Sequence, residues 1–159
     1  MALGYPLQAL LNVRHFREEA ARKEVRAAEQ RHAEALRTLE RCKADLERYR
    51  LWRPEEENRR YATIMGTAMS IDDMAAFRTA LTVLAEGEAE RGRAVSQAEE
   101  VAAQTMQEVR AAKQAAVLAR KDAARIESHR EIWLGEAQKQ NERREDLELE
   151  ENSGLRCSE

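Results

Sequence analysis

Residues 64–73 read IMGTAMSIDD, and this stretch divides the chain into two long, highly charged segments. Gly66 is a typical residue just past a helix C-terminus, because glycine adopts a positive φ at little cost. Ser70 followed three residues later by Asp73 is typical of a helix N-cap with an acidic residue in the first turn. We therefore predict a short turn over about residues 66–70, with a helix on either side.

The two flanking segments are predicted to be continuous helices. Pro6 suits the first turn of a helix, where its missing N–H costs nothing, so the first helix is expected over about residues 6–65. The second is expected over about residues 71–150. At 1.5 Å per residue these helices would be about 90 and 115 Å long. The tail from residue 152, NSGLRCSE, is expected to be disordered, which makes residues 1–151 a single domain.

The composition favours a coiled coil over a globular core. Charged residues make up 36% of the chain and aromatic residues only 4%. Sequences dominated by Ala, Glu, Arg, Leu and Lys are typical of long helices. Much of the 43% hydrophobic content is alanine, which buries little area, so a narrow apolar seam is affordable but a broad core is not.

Apolar residues recur at alternating spacings of three and four along both helices, which is the pattern of a coiled coil. In the first helix this seam comprises Ala21, Val25, Ala28, His32, Ala35, Leu39, Cys42, Leu46 and Tyr49. In the second it comprises Met74, Phe77, Leu81, Leu84, Glu88, Arg91, Val95, Ala98, Ala102, Thr105, Val109, Ala112, Ala116, Ala119, Ala123, Ile126, Trp133 and Ala137.

Reversal of the chain at the turn should bring together residues whose numbers add to about 137. This register places Val25 opposite Ala112 and Leu39 opposite Ala98, so the two seams meet. His32 would face the second helix at Thr105 as a polar layer. The predicted fold is therefore all-α, with two long helices forming an antiparallel coiled-coil hairpin.

Near the turn the second seam is apolar where the first is charged. Phe77 and Leu81 would face Arg60 and Glu56. Pro54 is expected to kink the first helix and to change its phase, because its ring crowds the preceding turn. The side chains that this change would bring to the seam are Tyr61, Ile64 and Met65. We expect the tip to hold more apolar surface than one helix covers, which is typical of an interface.

At the other end, the register places Trp133 beside Tyr5 and Leu3. The second helix would then overhang the first by residues 135–152, which finish in a strongly acidic run.

No pattern in the chain indicates catalysis. The three histidines have no cysteine or carboxylate at metal-ligand spacing that stands out from the background. A glycine-rich phosphate loop and a nucleophile elbow are absent from the sequence. A two-helix structure also offers no cleft that excludes water. We therefore expect no enzymatic activity, no metal and no cofactor.

Charge, hydropathy and cysteine content limit the classes of binding partner and the cellular compartment that we expect. The 27 basic residues are interleaved with 30 acidic ones, which argues against nucleic-acid binding. No apolar run approaches the roughly 20 residues that span a bilayer, and the start resembles no signal peptide. Cys42 and Cys157 form no disulfide framework, so a reduced, cytoplasmic setting is expected.

Three segments together resemble a known family. They are YPLQALLNVRHFREEAARKEV at residues 5–25, YRLWRPEEENRRYATIMGTAMSIDDMAAF at residues 49–77 and HREIWLGEAQKQNERREDLELEE at residues 129–151. In order and spacing they resemble the central-stalk proteins of type III secretion, the YscO/SctO group, which are relatives of flagellar FliJ. Pro54, inside the middle segment, departs from the family pattern.

This resemblance implies a role in protein transport and virulence. The family's hairpin is similar to the γ-subunit coiled coil of rotary ATPases. It is thought to stand in the pore of the hexameric export ATPase, to reach the cytosolic ring of the export gate, to aid ATPase assembly and to handle secretion chaperones. The implied location is the cytoplasmic base of the secretion machine.

The resemblance also implies two contact sites. At the tip, the gate would be bound by Tyr49, Trp52, Phe77, Leu81 and Leu84. At the open end, the ATPase would be bound by Leu7, Leu10, Leu11, Ile126 and Trp133, together with the overhang. As seam residues, Phe77, Leu81 and Leu84 are equally well explained by packing alone.

Two other functions fit the same sequence. One is a coiled-coil chaperone or escort adaptor whose apolar tip holds clients or secretion chaperones. The other is a parallel dimeric coiled coil that serves as a spacer or peripheral stalk.

Overall fold

The computed structural model describes residues 4–156, and their side chains as far as residue 154. Helix α1 spans Gln8–Ile64 and helix α2 spans Ile71–Arg156. No strand occurs within residues 4–156. The two long helices pack against each other, so the predicted all-α coiled-coil hairpin is confirmed.

The turn between the helices has the predicted capping chemistry. Gly66 has a φ of 83°, and the N–H of Thr67 donates to the carbonyl oxygen of Ile64 at 3.2 Å. Ser70 and Asp73 form a reciprocal pair: the Asp73 N–H donates to Ser70 Oγ at 3.1 Å, and the Ser70 N–H donates to Asp73 Oδ2 at 3.2 Å. These bonds satisfy backbone donors that a helix N-terminus otherwise leaves unpaired.

The chain divides into two units, which we call the terminal unit and the turn-end unit. The terminal unit contains the described residues up to Val25 and from Ala112 onward. Its most buried side chains are Leu11 at 2% exposure and Ala123 at 1%. Across the seam, Arg14 Nη1 lies 3.3 Å from Asp122 Oδ2. This pair has the predicted register, and it confirms antiparallel packing within the terminal unit.

The turn-end unit spans Arg26–Ala111 and holds the alanine-rich core. Ala35, Leu39, Ala98 and Ala102 form one buried cluster, and Cys42 and Val95 pack against it. The predicted polar layer is also present, since His32 Nδ1 lies 2.9 Å from Thr105 Oγ1. These contacts confirm the predicted register in the turn-end unit.

Pro54 does not interrupt α1, which continues to Ile64. Arg53 and Arg60 stay half-buried, at the positions where the original heptads place them. The side chains expected at the seam behave differently: the ring of Tyr61 is 47% exposed but contacts that of Phe77 on α2 at 5.1 Å, whereas Met65 is 78% exposed. A proline inside a helix removes one backbone hydrogen bond, and here the flanking seam contacts keep the helix in register. Of the three residues expected at the seam, Ile64 alone is half-buried.

Two further expectations need correction at the seam and the C-terminus. Met74, expected in the seam, is 54% exposed. Helix α2 continues to Arg156, so the predicted disorder from residue 152 is wrong for residues 152–156. Within this stretch the Ser153 hydroxyl donates to the carbonyl oxygen of Glu150 at 2.9 Å. Leu3 and Cys157 lie outside the described residues.

Neighbouring leucines of α1 provide a test of this packing. Leu11 is 2% exposed, so Leu11→Ala should lower the free energy of unfolding by about 2–5 kcal/mol. Leu10 is 37% exposed, and Leu10→Ala should cost about 1 kcal/mol or less. Urea unfolding followed by circular dichroism measures both. Equal losses for the two variants would contradict the burial of Leu11.

Candidate protein-binding surfaces

The five side chains predicted to bind at the tip differ in accessibility. Trp52 is 40% exposed, and Tyr49, Phe77 and Leu81 are half-buried. Leu84 is only 5% exposed, so it is a core residue of the turn-end unit in this conformation. Tyr49 contacts Trp52 and Leu84, whereas Phe77 contacts Tyr61 nearer the turn. Of the five, only Trp52 presents a largely open face.

Tyr49 is held by contacts inside the turn-end unit. Its hydroxyl donates to the carbonyl oxygen of Leu84 at 2.8 Å. The guanidinium of Arg91 lies 4.0 Å from the centre of its ring, a cation–π contact, and the ring of Trp52 lies at 5.3 Å. Tyr49 thus joins α1 to α2, and a partner would meet Trp52 first.

Gly87 creates the space that the Tyr49 side chain occupies. A Cβ atom at position 87 would lie 2.5 Å from Tyr49 Oη and 3.0 Å from Tyr49 Cζ. Arg91 covers the same place, because its Nη1 donates to the carbonyl oxygen of Gly87 at 3.0 Å. We call Tyr49, Gly87 and Arg91 the clasp.

Ion pairs surround the clasp. Glu88 Oε2 accepts from Arg53 Nη1 at 2.6 Å, and its Oε1 accepts from Arg50 Nε at 3.2 Å. Arg91 Nε lies 3.2 Å from Asp45 Oδ2. Hydrogen bonds first from Arg53 and then from Arg50 hold the pKa of Glu88 below its ordinary value of 4.5. The seam here is therefore polar, as the sequence predicted for Glu88 and Arg91.

An exposed apolar surface lies at the turn itself. Ile71 is 89% exposed, Met65 is 78% exposed and Met74 is 54% exposed. A shallow groove beside them is lined by Met69, Ser70, Ile71, Met74, Ala75 and Arg78. We call Met65, Met69, Ile71 and Met74 the tip surface. Sequence reasoning did not assign Ile71 to a binding site, although its place directly after the N-cap and off the heptad seam was a usable signal.

The open-end residues predicted to bind a partner also differ in accessibility. Leu7 and Leu10 are each 37% exposed, whereas Ile126 and Trp133 are half-buried. Leu11 is buried at 2% exposure, so its assignment as a contact residue does not fit this packing. Its position in the heptad seam explains its burial.

Tyr5 anchors the start of the chain on α2 within the terminal unit. Its hydroxyl lies 2.7 Å from His129 Nδ1, and its ring contacts that of Trp133 at 5.6 Å, edge to face. This confirms the predicted placement of Trp133 beside Tyr5. Trp133 therefore has an internal role as well as a half-exposed face.

Several exposed side chains in the terminal unit were not singled out from the sequence as binding residues. Phe16 is 73% exposed and Ile132 is 62% exposed. Residues 138–154 of α2 are exposed throughout, and they include Leu147 and Leu149 among many acidic side chains. We call residues 138–154 the overhang segment. A heptad search cannot find such residues, because it selects positions that face the other helix.

The described part of the chain shows neither a metal cluster nor a membrane span. Among residues 4–156, no three His, Cys, Asp or Glu side chains are grouped closely enough to hold a metal ion. Neither helix in this range contains an apolar stretch sufficient to cross a membrane.

Comparison with known families decides what the chain is related to. The family model described as type III secretion protein YscO matches residues 7–154, which is nearly the whole chain. The chain belongs to the YscO family. This confirms the resemblance found in the three sequence segments.

Solved structures agree with this assignment. The crystal structure of YscO from Vibrio parahaemolyticus matches with a TM-score of 0.85 and 26% identity, over 91% of this chain and 91% of that chain. A YscO homologue from Chlamydia trachomatis matches with a TM-score of 0.75 and 20% identity, over 96% of this chain and 94% of that chain. At 20% identity, the second match supports the fold alone. No curated protein matches the chain significantly.

The ion pairs around Glu88 predict a pH-dependent stability in this YscO-family protein. Because the folded-state pKa of Glu88 is lowered, its contribution is present above the unfolded-state pKa and is lost as pH falls through the folded-state pKa. Glu88→Gln should therefore lower Tm at pH 7, and the Tm difference from the parent chain should shrink as pH falls below the unfolded-state pKa of about 4.3 toward the lower folded-state pKa.

Thermal unfolding by circular dichroism at pH 7, 5 and 3 measures this effect. The control is Glu90→Gln, which makes the same charge change at an exposed position of α2. The pKa of Asp73 is also lowered, by the Ser70 hydroxyl and then by the Ser70 N–H. Because the parent chain and both variants share Asp73, its titration does not produce a difference between them. A Tm difference for Glu88→Gln that stays constant from pH 7 to pH 3 would rule out the ionic contribution.

Proposed function

We propose that this YscO-family protein is the central stalk of a type III secretion export apparatus. In this role it links the hexameric export ATPase to the cytosolic domain of the export gate and aids ATPase assembly. It would work in the cytoplasm, at the base of the secretion machine. The role requires no catalysis and no cofactor from this chain, because ATP hydrolysis belongs to the ATPase.

The observation that carries the proposal is the tip surface on a YscO-family chain. Ile71 and Met65 are apolar, largely exposed and immediately next to the turn. Neither is needed to form the turn, because Gly66 supplies the positive φ and Ser70 supplies the cap. Exposed apolar clusters of this kind are typical of protein–protein contact sites. We assign the tip surface, together with Trp52, to the gate.

The terminal unit is assigned to the ATPase. Leu7 and Leu10 present exposed apolar faces, and the overhang segment adds acidic side chains with Leu147 and Leu149. Apolar anchors surrounded by charge are a common composition for such interfaces. Ile126 and Trp133 would contribute their exposed faces, whereas the buried Leu11 would stabilise the packing of α1 on α2 beneath the site.

A two-helix coiled coil has no six-fold symmetry, and this suggests how it could couple the two partners. Inside a ring of six subunits it contacts only some of them at a time. Closure of those subunits around nucleotide would push or turn the coiled coil, and the tip would carry that change to the gate. The direction and extent of this movement would depend on which ATPase subunits bind the terminal unit.

An escort adaptor for secretion chaperones is the second candidate, and the composition of the tip surface favours it. Three of its four side chains are methionines, at positions 65, 69 and 74. Methionine is flexible and polarisable, and it is common on surfaces that accept several partners. The parallel dimeric spacer is less well supported, because the seams of α1 and α2 already pack against each other within one chain.

Two exposed substitutions should separate the two binding sites. Ile71→Glu should weaken binding of the gate domain at least about tenfold and leave ATPase binding unchanged, because a charge replaces an apolar anchor. An acidic residue in the first turn of a helix is compatible with folding. Leu10→Gln should weaken ATPase binding and leave gate binding unchanged. Purified partners and biolayer interferometry measure both affinities.

Leu36→Gln is the matched control, since Leu36 is 44% exposed on α1, lies in the turn-end unit and is not part of the tip surface. Helical content by circular dichroism should be the same in all variants. If Ile71→Glu bound the gate domain as the parent chain does, the tip assignment would be wrong. If it lost a secretion chaperone while keeping the gate, the adaptor function would be favoured.

A further inference from the structure

The part of the hairpin next to the turn is packed differently from the rest of the turn-end unit. Residues 54–83 include no buried side chain, and we call them the turn-end segment. On the far side of the clasp from the turn, Ala35, Leu39, Ala98 and Ala102 are all less than 10% exposed. Hydrophobic burial is the main stabilising term in such a coil, so the turn-end segment is the weaker part.

Charged side chains in the turn-end segment bond within α1 more than they bond to α2. Glu56 has a side chain that is only 14% exposed, yet its carboxylate accepts from Arg59 at 2.7 Å and from Arg60 at 3.1 Å, both on α1. These bonds survive if α2 moves away. The aromatic contact between Tyr61 and Phe77, at 5.1 Å, does cross the seam. Separation of the helices here therefore breaks little polar bonding.

At the clasp the contacts cross the seam in every layer. The Tyr49 hydroxyl bonds the Leu84 carbonyl oxygen, Arg91 covers the Tyr49 ring, and Glu88 accepts from Arg53 and Arg50. Leu84 is buried beside them. Gly87 admits the Tyr49 side chain so closely that a methyl group could not be added without displacing it. Separation of the helices at this level would break these contacts together.

We propose that the turn-end segment is a conformational device that opens separately, and that the clasp stops this opening from spreading into the alanine-rich core. In the open form the apolar faces of Phe77 and Leu81 become fully accessible, while the seam beyond the clasp stays closed. The proposal goes beyond the stalk function and does not depend on it, because the opening is a property of the isolated chain.

Hydrogen exchange with mass spectrometry on the full chain tests the device. The released arms, residues 54–64 of α1 and 71–83 of α2, are 11 and 13 residues long. Helices no longer than roughly 12–15 residues are marginal in water, so opening should weaken the protection of these amides. Amides of residues 54–83 should exchange at least about tenfold faster than those of residues 32–46 and 95–109. Equal exchange rates in these regions would overturn the separate opening.

Two glycine substitutions test the clasp. Gly87→Ala displaces the Tyr49 ring, so fast exchange should extend past position 87 into residues 39–48 and 89–98. Gly92→Ala is the matched control, because a Cβ there meets nothing within 4 Å. As an alanine in a helix interior, it should slow exchange slightly. If Gly87→Ala slowed exchange in the same way as Gly92→Ala, the clasp would not be a boundary.

Tyrosine substitutions distinguish a specific effect of the clasp from a general destabilisation of the hairpin. Tyr49→Ala should spread fast exchange as Gly87→Ala does, and Tyr49→Phe should have a smaller effect, because it keeps the ring under Arg91 and loses one hydrogen bond. Tyr61→Ala is the control within the turn-end segment and should accelerate exchange only there. If fast exchange spread past the clasp in Tyr61→Ala, or failed to spread past it in Tyr49→Ala, the clasp would not be a boundary.

Discussion

A single narrow seam supplies nearly all of the tertiary burial that the described residues show. Six of the twelve buried residues are alanines and the others are four leucines, one valine and Tyr5; those in the helices recur at heptad spacing. Alanine buries little area, so each pair of facing seam residues contributes little free energy. The stability of the coil is therefore the sum of many such pairs along the helices. The long helices, the high charge and the small aromatic content all follow from this constraint.

The exceptions to the alanine seam explain where specific structure is placed. Tyr49 packs into the space left by Gly87, and Tyr5 hydrogen-bonds His129 at the start of the chain. Each fixes a local position that small side chains alone would leave weakly defined. The exposed apolar residues lie elsewhere, above all at the turn, where the caps are already complete without Ile71.

Sequence reasoning predicted the parts of the fold that depend on periodicity and on local backbone chemistry. The Gly66 turn, the Ser70–Asp73 cap and the seam pairing of His32 with Thr105 need only spacing and residue type. It failed where α2 continues through a sequence typical of a disordered tail, at residues 152–156. The heptad register separates Leu11, in the seam, from Leu10, outside it, but the family resemblance grouped both as contact residues, and only Leu10 is exposed.

The antiparallel pairing of the two arms within one chain is the claim on which the rest depends, and crosslinking tests it directly. In a background with Cys42→Ala and Cys157→Ser, the pair Ala35→Cys and Ala102→Cys should form an intrachain crosslink with a short reagent at low protein concentration. The pair Ala35→Cys and Val109→Cys, displaced by one heptad, should crosslink poorly. Crosslinking of Ala35→Cys and Ala102→Cys exclusively between chains would contradict the account.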